Sequence, residues 1–584
     1  MSFRDALRGR RHWPTRWSAS AVAAAVLALS AGPIAAGAAP AAATPSITST
    51  IPLVPAVLYP GDETVSALSC PSAGNCVAIG VGMVTSGVDQ LFAIDETNGV
   101  WGPGQVIADP LATLSLISLN SMACSSAGNC VAVGAAVPSG QNPVSQAITV
   151  QETAGVWGGV QYVSVPGTAP QYPELDAVSC PSDGDCTAVG DVASGAAIFV
   201  SETAGQWGEA TIDGPYLAPS ASDPLVVTHP AGIVCASAGN CTAVSNYPYA
   251  ATETNGVWSA FEALPTPAGS TVADSPLLTS LSCPTQASCV AVGNVAVGPD
   301  FLSTPFVEQE TSVGTWSVTT PSLPDPAAAA TLSSLSCYAP GQCMAVGSSY
   351  VAPVYPNNAM WSDLALLDDN GNWTIASLPQ PTIIPNRQDS FVTTPRLTSV
   401  SCAARGDCTA VGYVNIDARS TTLPFSLVQY QGKWLPSSFA LDPPGVGPPA
   451  DGAVLVSCAA PGECAMAGDD QGTPVVDSET LPPMPPAPRA PSAPSIVKVT
   501  SAVTSVVVRL GAPKSNGGAA VTSYQYTLNG GPRWMKVSTN LKSLTMRITR
   551  LKASTLYRIR VRALNVAGAS PASAPRSVRT LRAK

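Results

Sequence analysis

Apolar and polar residues alternate along most of this chain in short runs, the period of strands with one face buried, and the runs recur in one fixed order. An alternating segment ends in Ser-Cys or a near variant, as in Leu68-Ser69-Cys70 and Val400-Ser401-Cys402. A short polar loop follows, then Cys-x-Ala-Val-Gly or a relative of it, as in Cys186 to Gly190. After an insert of variable length comes a third apolar run, such as Ala197 to Val200, and then a tight turn that delivers a tryptophan. Glu96-Thr97-Asn98-Gly99-Val100-Trp101, Glu202-Thr203-Ala204-Gly205-Gln206-Trp207 and Asp369-Asn370-Gly371-Asn372-Trp373 show that turn. Asn-Gly and Ala-Gly steps predict two-residue hairpins, because glycine supplies the positive φ they demand. Each unit therefore predicts a four-stranded antiparallel meander.

Sixteen cysteines mark eight such units, one pair to each: Cys70 with Cys76, Cys124 with Cys130, Cys180 with Cys186, Cys235 with Cys241, Cys283 with Cys289, Cys337 with Cys343, Cys402 with Cys408 and Cys458 with Cys464. Four strands in about 55 residues is the size of a propeller blade. The tryptophans Trp101, Trp157, Trp207, Trp258, Trp316, Trp373 and Trp434 number one fewer than the cysteine pairs, so the last unit lacks its fourth strand. Residues 46–57 resemble the segments that follow each tryptophan and have no unit of their own. The expected fold is all-β: an eight-bladed β-propeller over 44–480 with the N-terminal strand closing the ring, then a Pro-rich linker at 481–494 and a β-sandwich over 495–584.

Cysteine usage bears on compartment. An even count at one short spacing reads as local disulfides of an exported protein, each bridge closing the loop between the two cysteines of a pair. Zinc would call for C-x2-4-C knuckles or histidine partners, and beyond residue 43 the chain has only His229, so neither a metal nor a cofactor is expected. Residues 1–43 read as a signal peptide: Arg4, Arg8, Arg10, Arg11 and Arg16 precede an apolar run from Ala19 to Leu29. Cleavage is expected at Ala36-Gly37-Ala38 or at Ala41-Ala42-Ala43. That apolar run is shorter than the roughly 18 to 20 residues of a spanning helix, so no membrane span is expected after cleavage. The expected location is extracellular or cell-wall associated.

Units of the form SC-PSxGxC-xAVG followed by G-x-W resemble those of secreted, actinobacterial-type β-propellers. The G-x-W turns are also similar to the Asp-box hairpins of sialidase-type propellers but lack S-x-D-x-G-x-x-W. The C-terminal segment resembles a fibronectin type III domain in Pro494-Ser495, Pro513 to Tyr524 with Asn516-Gly517-Gly518, Thr555, Tyr557 and Asn565-x-x-Gly568. Tyr557 suits a tyrosine corner, whereas Leu510 stands where that family usually has tryptophan.

Charge divides at the linker. Residues 485–584 hold 17 Lys+Arg and no Asp or Glu, against 5 Lys+Arg and 36 Asp+Glu in residues 44–484. A basic exported module points to an extracellular polysaccharide or anionic cell-wall polymer as partner, or to the chain's own acidic propeller. A protein ligand is a further candidate, while nucleic acid would need a stacking platform that the aromatics do not form.

No catalytic residue is assigned. Any His-dependent nucleophilic site has to use His229, and no G-x-S-x-G surrounds it. Glycosidases need two carboxylates, but Glu96, Glu152, Glu202, Glu253 and Glu310 recur at one repeat position, which points to a structural role. Arg405-Gly406-Asp407 spells an adhesion tripeptide, yet Asp183-Gly184-Asp185 and Ala73-Gly74-Asn75 fill the same slot. The leading function is a secreted, non-catalytic binding or adhesion protein; the other is a polysaccharide-acting hydrolase or lyase with an accessory domain.

Strand direction puts the cysteine turns and tryptophan turns on one face and all length variation on the other, where ligands are expected. The largest inserts lie in the sixth unit, Ser348 to Ser362 and Ala376 to Arg396. Tyr350, Tyr355, Trp361, Arg387, Arg396 and, in the next unit, Arg419 are the candidate ligand-binding residues.

Overall fold

In the computed structural model, the described residues are 46–50, 63–84, 88–108, 114–138, 144–167, 172–212, 229–268, 270, 276–297, 302–323, 329–351, 360–379, 394–415, 422–435, 454–470 and 473–480, with 489–583 C-terminal to them except 519, 530, 532, 537–538, 541–543 and 566. Residues 1–43, the expected signal peptide, lie outside them. No helix occurs among them.

Eight antiparallel sheets follow in chain order, each holding one cysteine pair. The third is typical: Glu174–Ser182, Asp185–Asp191 and Ala197–Thr203 are neighbours in sequence order, and Gln206–Trp207 returns along the last of them. In the eighth, Leu455–Ala460, Glu463–Asp470 and Thr473–Thr480 are completed by Ser46–Thr50, which runs antiparallel to Thr473–Thr480 from Ser46↔Thr480 to Thr50↔Val476. First strands of successive sheets touch one another, and the eighth touches the first, so the sheets are blades of a closed ring with first strands innermost.

All eight cysteine pairs form disulfides inside their own blades, with the pairing that the spacing predicts. Cys70 is bonded to Cys76, Cys124 to Cys130, Cys180 to Cys186 and Cys235 to Cys241 in the first four blades. Cys283 is bonded to Cys289, Cys337 to Cys343, Cys402 to Cys408 and Cys458 to Cys464 in the others. Each bridge spans the first hairpin of its blade, as in the direct cross-strand register of Cys124 with Cys130 and of Cys337 with Cys343. The second cysteine of every pair begins the Cys-x-Ala-Val-Gly strand and is the better buried: Cys76, Cys130, Cys186, Cys241, Cys289, Cys343, Cys408 and Cys464 are 0–4% exposed. No described cysteine is free.

Other elements of the repeated sequence have equally local reasons. An innermost strand has an unpaired edge, whose N–H groups need acceptors. In six blades the serine before the first cysteine supplies one to the next blade. Ser69 Oγ accepts from Cys124 N at 3.2 Å, Ser179 from Cys235 at 3.0 Å, and Ser282, Ser336 and Ser401 from Cys337, Cys402 and Cys458, each at 3.0 Å. Ser457 closes the circle on Cys70 N at 3.1 Å. A second row lies two residues earlier, where Ser121, Ser280 and Ser334 accept from Val178, Leu335 and Val400.

The glycine ending Cys-x-Ala-Val-Gly faces a β-bulge in the first strand. A Cβ on Gly190 would lie 1.9 Å from Glu174 O, so no side chain fits there. The cysteine turn and tryptophan turn of a blade clasp each other: Gly205 N donates to Gly184 O at 3.0 Å, with equivalents in the first, second, fourth and seventh blades. Tryptophans join blades: Trp258 stacks on Phe199 of the preceding blade at 4.1 Å, and Trp101 Nε1 donates to Ser478 Oγ of the eighth at 2.8 Å.

The C-terminal unit is a sandwich of two sheets, one containing Ser495–Ser501, Val506–Gly511 and Thr545–Ile548, the other Ser523–Leu528, Leu556–Asn565 and Arg576–Arg579. Tyr524, Val561, Ile559, Met546 and Leu510 fill its core. Tyr557 Oη accepts Lys552 N–H at 2.8 Å, the contact of a tyrosine corner.

Candidate functional sites

The turn clasps of six blades put the cysteine turn beside the tryptophan turn, and the strand order sends the long connections from the opposite, loop face. The sixth-blade insert is shorter than the sequence implies. Ser348–Val351 and Met360–Ser362 continue their strands, with Tyr350 opposite Trp361, because the alternating pattern carries pairing past the average blade length. Arg396 likewise belongs to the first strand of the seventh blade, opposite Tyr413. Tyr355, Arg387 and Arg419 lie outside the described residues. On the same face, a cleft of about 410 Å³ between the first and second blades is lined by Thr64, Ser66, Met83, Asp89 and Ser118. Asp89 Oδ2 accepts Ile117 N–H there at 2.9 Å, and burial raises its pKa.

A cluster that the sequence pattern does not announce lies on the loop face between the third and fourth blades. Asp176, Asp191 and His229 bring one ligand atom each to within 4.8 Å of one another. Asp176 is the extra residue of the third-blade bulge, between Leu175 and Ala177. Asp191 ends the second strand of that blade, and His229 directly precedes the first strand of the next, its backbone N held by Asn246 Oδ1 at 2.9 Å. His229 Nδ1 pairs with Asp191 Oδ2, whose side chain is 9% exposed. Burial, reinforced by Asp191 and Glu174 and opposed by His229, pushes Asp176 up to about 8. The hydrogen bond to Asp191 leads the forces that raise the His229 pKa, with desolvation opposing it. The three positions are far apart in sequence, and no spacing rule connects them; the one signal is the lone histidine itself.

The repeated acids behave as structural groups. Glu96, Glu152, Glu202, Glu253, Glu310, Asp368 and Glu479 occupy one blade position and are 1–5% exposed. Thr409 Oγ1 donates to Glu479 at 2.7 Å, Gly314 N to Glu310 at 2.8 Å and Gly371 N to Asp368 at 2.7 Å, while Gln151 and Ser478 reach Glu202 and Glu96 from preceding blades. The Arg-Gly-Asp tripeptide is not presented as a unit. Asp407 is 2% exposed and accepts Gly462 N–H from the next blade, whereas Arg405 projects into solvent.

In the C-terminal sandwich, cations share the outer face of one sheet. Arg558, Arg560 and Arg562 alternate along one strand, with Lys536 paired to Gln525 beside Arg562, and Arg579 across from Leu556. Arg562 lies 4.4 Å over the Trp534 ring and donates from Nε to Gln525 Oε1 at 2.8 Å. Lys498, Arg509 and Arg547 form a second group on the other sheet.

Residues 490–579 match the family model of the fibronectin type III domain. The C-terminal sandwich is a fibronectin type III domain. The fibronectin type III domain keeps the tyrosine corner and replaces the usual core tryptophan by Leu510, 3% exposed. A solved sixth fibronectin type III domain from human fibronectin type III domain containing protein 3 is 28% identical, covering 17% of this chain and 92% of that one, with a TM-score of 0.14. A structure of YCF48 bound to D1 peptide is 12% identical over 64% of this chain and 96% of that one, TM-score 0.36. YCF48 from Cyanidioschyzon merolae is 10% identical over 62% and 95%, TM-score 0.35. No curated protein matches the chain.

Proposed function

We propose that the protein is a secreted, non-catalytic binding protein whose fibronectin type III domain holds an anionic extracellular polymer while the propeller presents its loop face to a ligand. The eight disulfides support an extracellular setting. The carrying observation is the cation row Arg558, Arg560, Arg562, Lys536 and Arg579 on one sheet face of a domain without a single carboxylate side chain. Like charges on one face repel, and an anionic partner relieves that repulsion. Guanidinium groups suit carboxylate or phosphate through paired N–H donors, and Trp534 adds a flat apolar surface at the row's end.

The test is sedimentation of the chain from residue 44 with insoluble polygalacturonate, a wall preparation rich in poly(glycerol phosphate), and neutral cellulose. Binding to at least one anionic polymer is expected, with retention falling as salt rises from about 0.05 to about 0.5 M and screening shortens the reach of each charge. Arg558→Gln with Arg560→Gln and Arg562→Gln should lower it about tenfold or more. Equal binding to cellulose, no binding at low salt, or a triple variant that binds as the parent overturns the reading. Absence of binding at low salt means that the domain's charge is matched by the chain's own acidic propeller, and a triple variant that binds as the parent puts the polymer elsewhere than on this row.

A further inference from the structure

We infer that Asp176, Asp191 and His229 form a binding site for a divalent first-row transition metal ion at the loop-face junction of the third and fourth blades. Two carboxylates and one imidazole, one ligand atom each within 4.8 Å of one another, are the donor set of such an ion.

The repeat itself argues that these residues are not there for the ring. In the second, fifth and seventh blades the bulge residue is a hydrogen-bond donor that ties its blade to the next. Asn120 Nδ2 reaches Leu175 O at 2.8 Å, Thr279 Oγ1 reaches Leu332 O at 3.0 Å, and Thr398 Oγ1 reaches Val454 O at 3.3 Å. Asp176 places a carboxyl at this position, and its Oδ2 is enclosed with no hydrogen-bond partner. Asp191 stands where the fifth blade has Asn294, whose amide group takes both Leu332 N–H and Leu332 O of the next blade. At this junction both inter-blade ties have become carboxyls, and they meet the one histidine beyond residue 43.

Charge points the same way. Glu174 adds a third carboxylate nearby, and all five Lys and Arg of residues 44–484 fall between Arg387 and Lys433, in other blades. A divalent ion supplies the positive charge that the third and fourth repeat units do not. Because the His229 side chain is 54% exposed, an ion held there is open to solvent and can take a further oxygen ligand.

The experiment is calorimetric titration of Zn2+ and Mn2+ into the tagless chain from residue 44, after dialysis against chelator. One equivalent is expected, and Asp176→Asn and His229→Ala should each weaken it about 100-fold, at least the loss seen for supporting groups. If a variant fails to fold, carbethoxylation of His229 in the parent, read by mass spectrometry, serves instead: Zn2+ should slow it at least about tenfold. Absence of binding below about 1 mM, unchanged binding in both variants, or His229 modified equally fast with Zn2+ present overturns the inference.

Discussion

Replacing Ser457 by alanine tests whether the serine row holds the ring together. Its Oγ accepts the Cys70 N–H at 3.1 Å across the junction where the eighth blade meets the first, 387 residues apart in sequence. A neutral hydrogen bond of this kind contributes about 1 kcal/mol net, but stranding an enclosed N–H costs about 1–3 kcal/mol. Cys70 is 9% exposed, so water has poor access and the middle of that range applies, about 2 kcal/mol. Ser401→Ala removes the same bond to Cys458 at 3.0 Å and should cost about as much. The repeat supplies the reverse experiment. In the second blade Ala123 occupies the serine position, so Ala123→Ser gives Cys180 N–H an acceptor and should add about 1 kcal/mol. Urea unfolding followed by tryptophan emission reports the loss, since Trp101 sits at the Ser457 junction through Ser478. Hydrogen exchange of the peptide spanning Cys70 reports it locally. If Ser457→Ala leaves both the urea midpoint and Cys70 exchange unchanged, the hydroxyl row contributes nothing. If Ala123→Ser destabilises, the row does not run through the second blade as the repeat implies.

Removal of residues 44–58 takes away Ser46–Thr50 and leaves Thr473–Thr480 as an open edge, so a lower urea midpoint and concentration-dependent association in light scattering are expected. An unchanged midpoint in a monomeric deletion would count against closure by that strand. Gly190→Ala should destabilise the propeller by roughly 3 kcal/mol, because its Cβ meets Glu174 O at 1.9 Å; a neutral effect in urea unfolding would refute the bulge contact. Burial pushes Glu308 up to about 8, and Glu152 and Glu479 up to about 7, from ordinary values of 4.5. The folded state therefore keeps protons that the unfolded chain releases, so their contribution is full below about pH 4.5 and is lost as pH rises through about 7 to 8. The urea midpoint should be higher at about pH 5 than at about pH 8.5, and the opposite order would contradict the direction of those shifts.

The repeat made the fold legible. Fixed spacings of cysteine, glycine and tryptophan report local geometry: a hairpin bridged across its strands, a bulge that excludes a side chain, and a turn at positive φ, as at Asn98 and Gly99. The bridges are the plainest case, since Cys76, Cys241 or Cys464 needs only the hairpin that precedes it to meet its partner. Such features sit within one unit and appear seven or eight times, so noise in any one copy is averaged away. The strand count of the last blade is legible for a related reason, because a missing tryptophan and an orphan N-terminal segment leave one solution. Less visible is the contact between units. Nothing in Ser-Cys says that the serine serves the next blade's cysteine, since that depends on the inner strands packing side by side. Nor does the size of the sixth-blade insert give the length of its strands, because Tyr350 and Trp361 alternate in phase with the strands they extend.

A repeat also carries its own control, and this is what separates the two sets of acids. Glu96, Glu152, Glu202, Glu253 and Glu310 follow the template, are buried at one position and find partners in their own turn or a neighbouring blade in the cases of Glu96, Glu202 and Glu310. What most copies share is explained by what all blades must do, which is to fold and to join. A carboxyl at a position that three other blades give to a bonded hydrogen-bond donor has no such explanation. Asp176 gives up the tie that Asn120, Thr279 and Thr398 make, and Asp191 gives up the one made by Asn294. Neither of these ties bridges the blades at this junction. His229 brings a nitrogen from the fourth blade to the carboxyls of the third, so an ion held by all three would restore the missing link while opening a position to ligands. Structural repair and ligand binding then become one event, and Zn2+ should raise the stability of the parent chain but not that of His229→Ala, in proportion to its affinity.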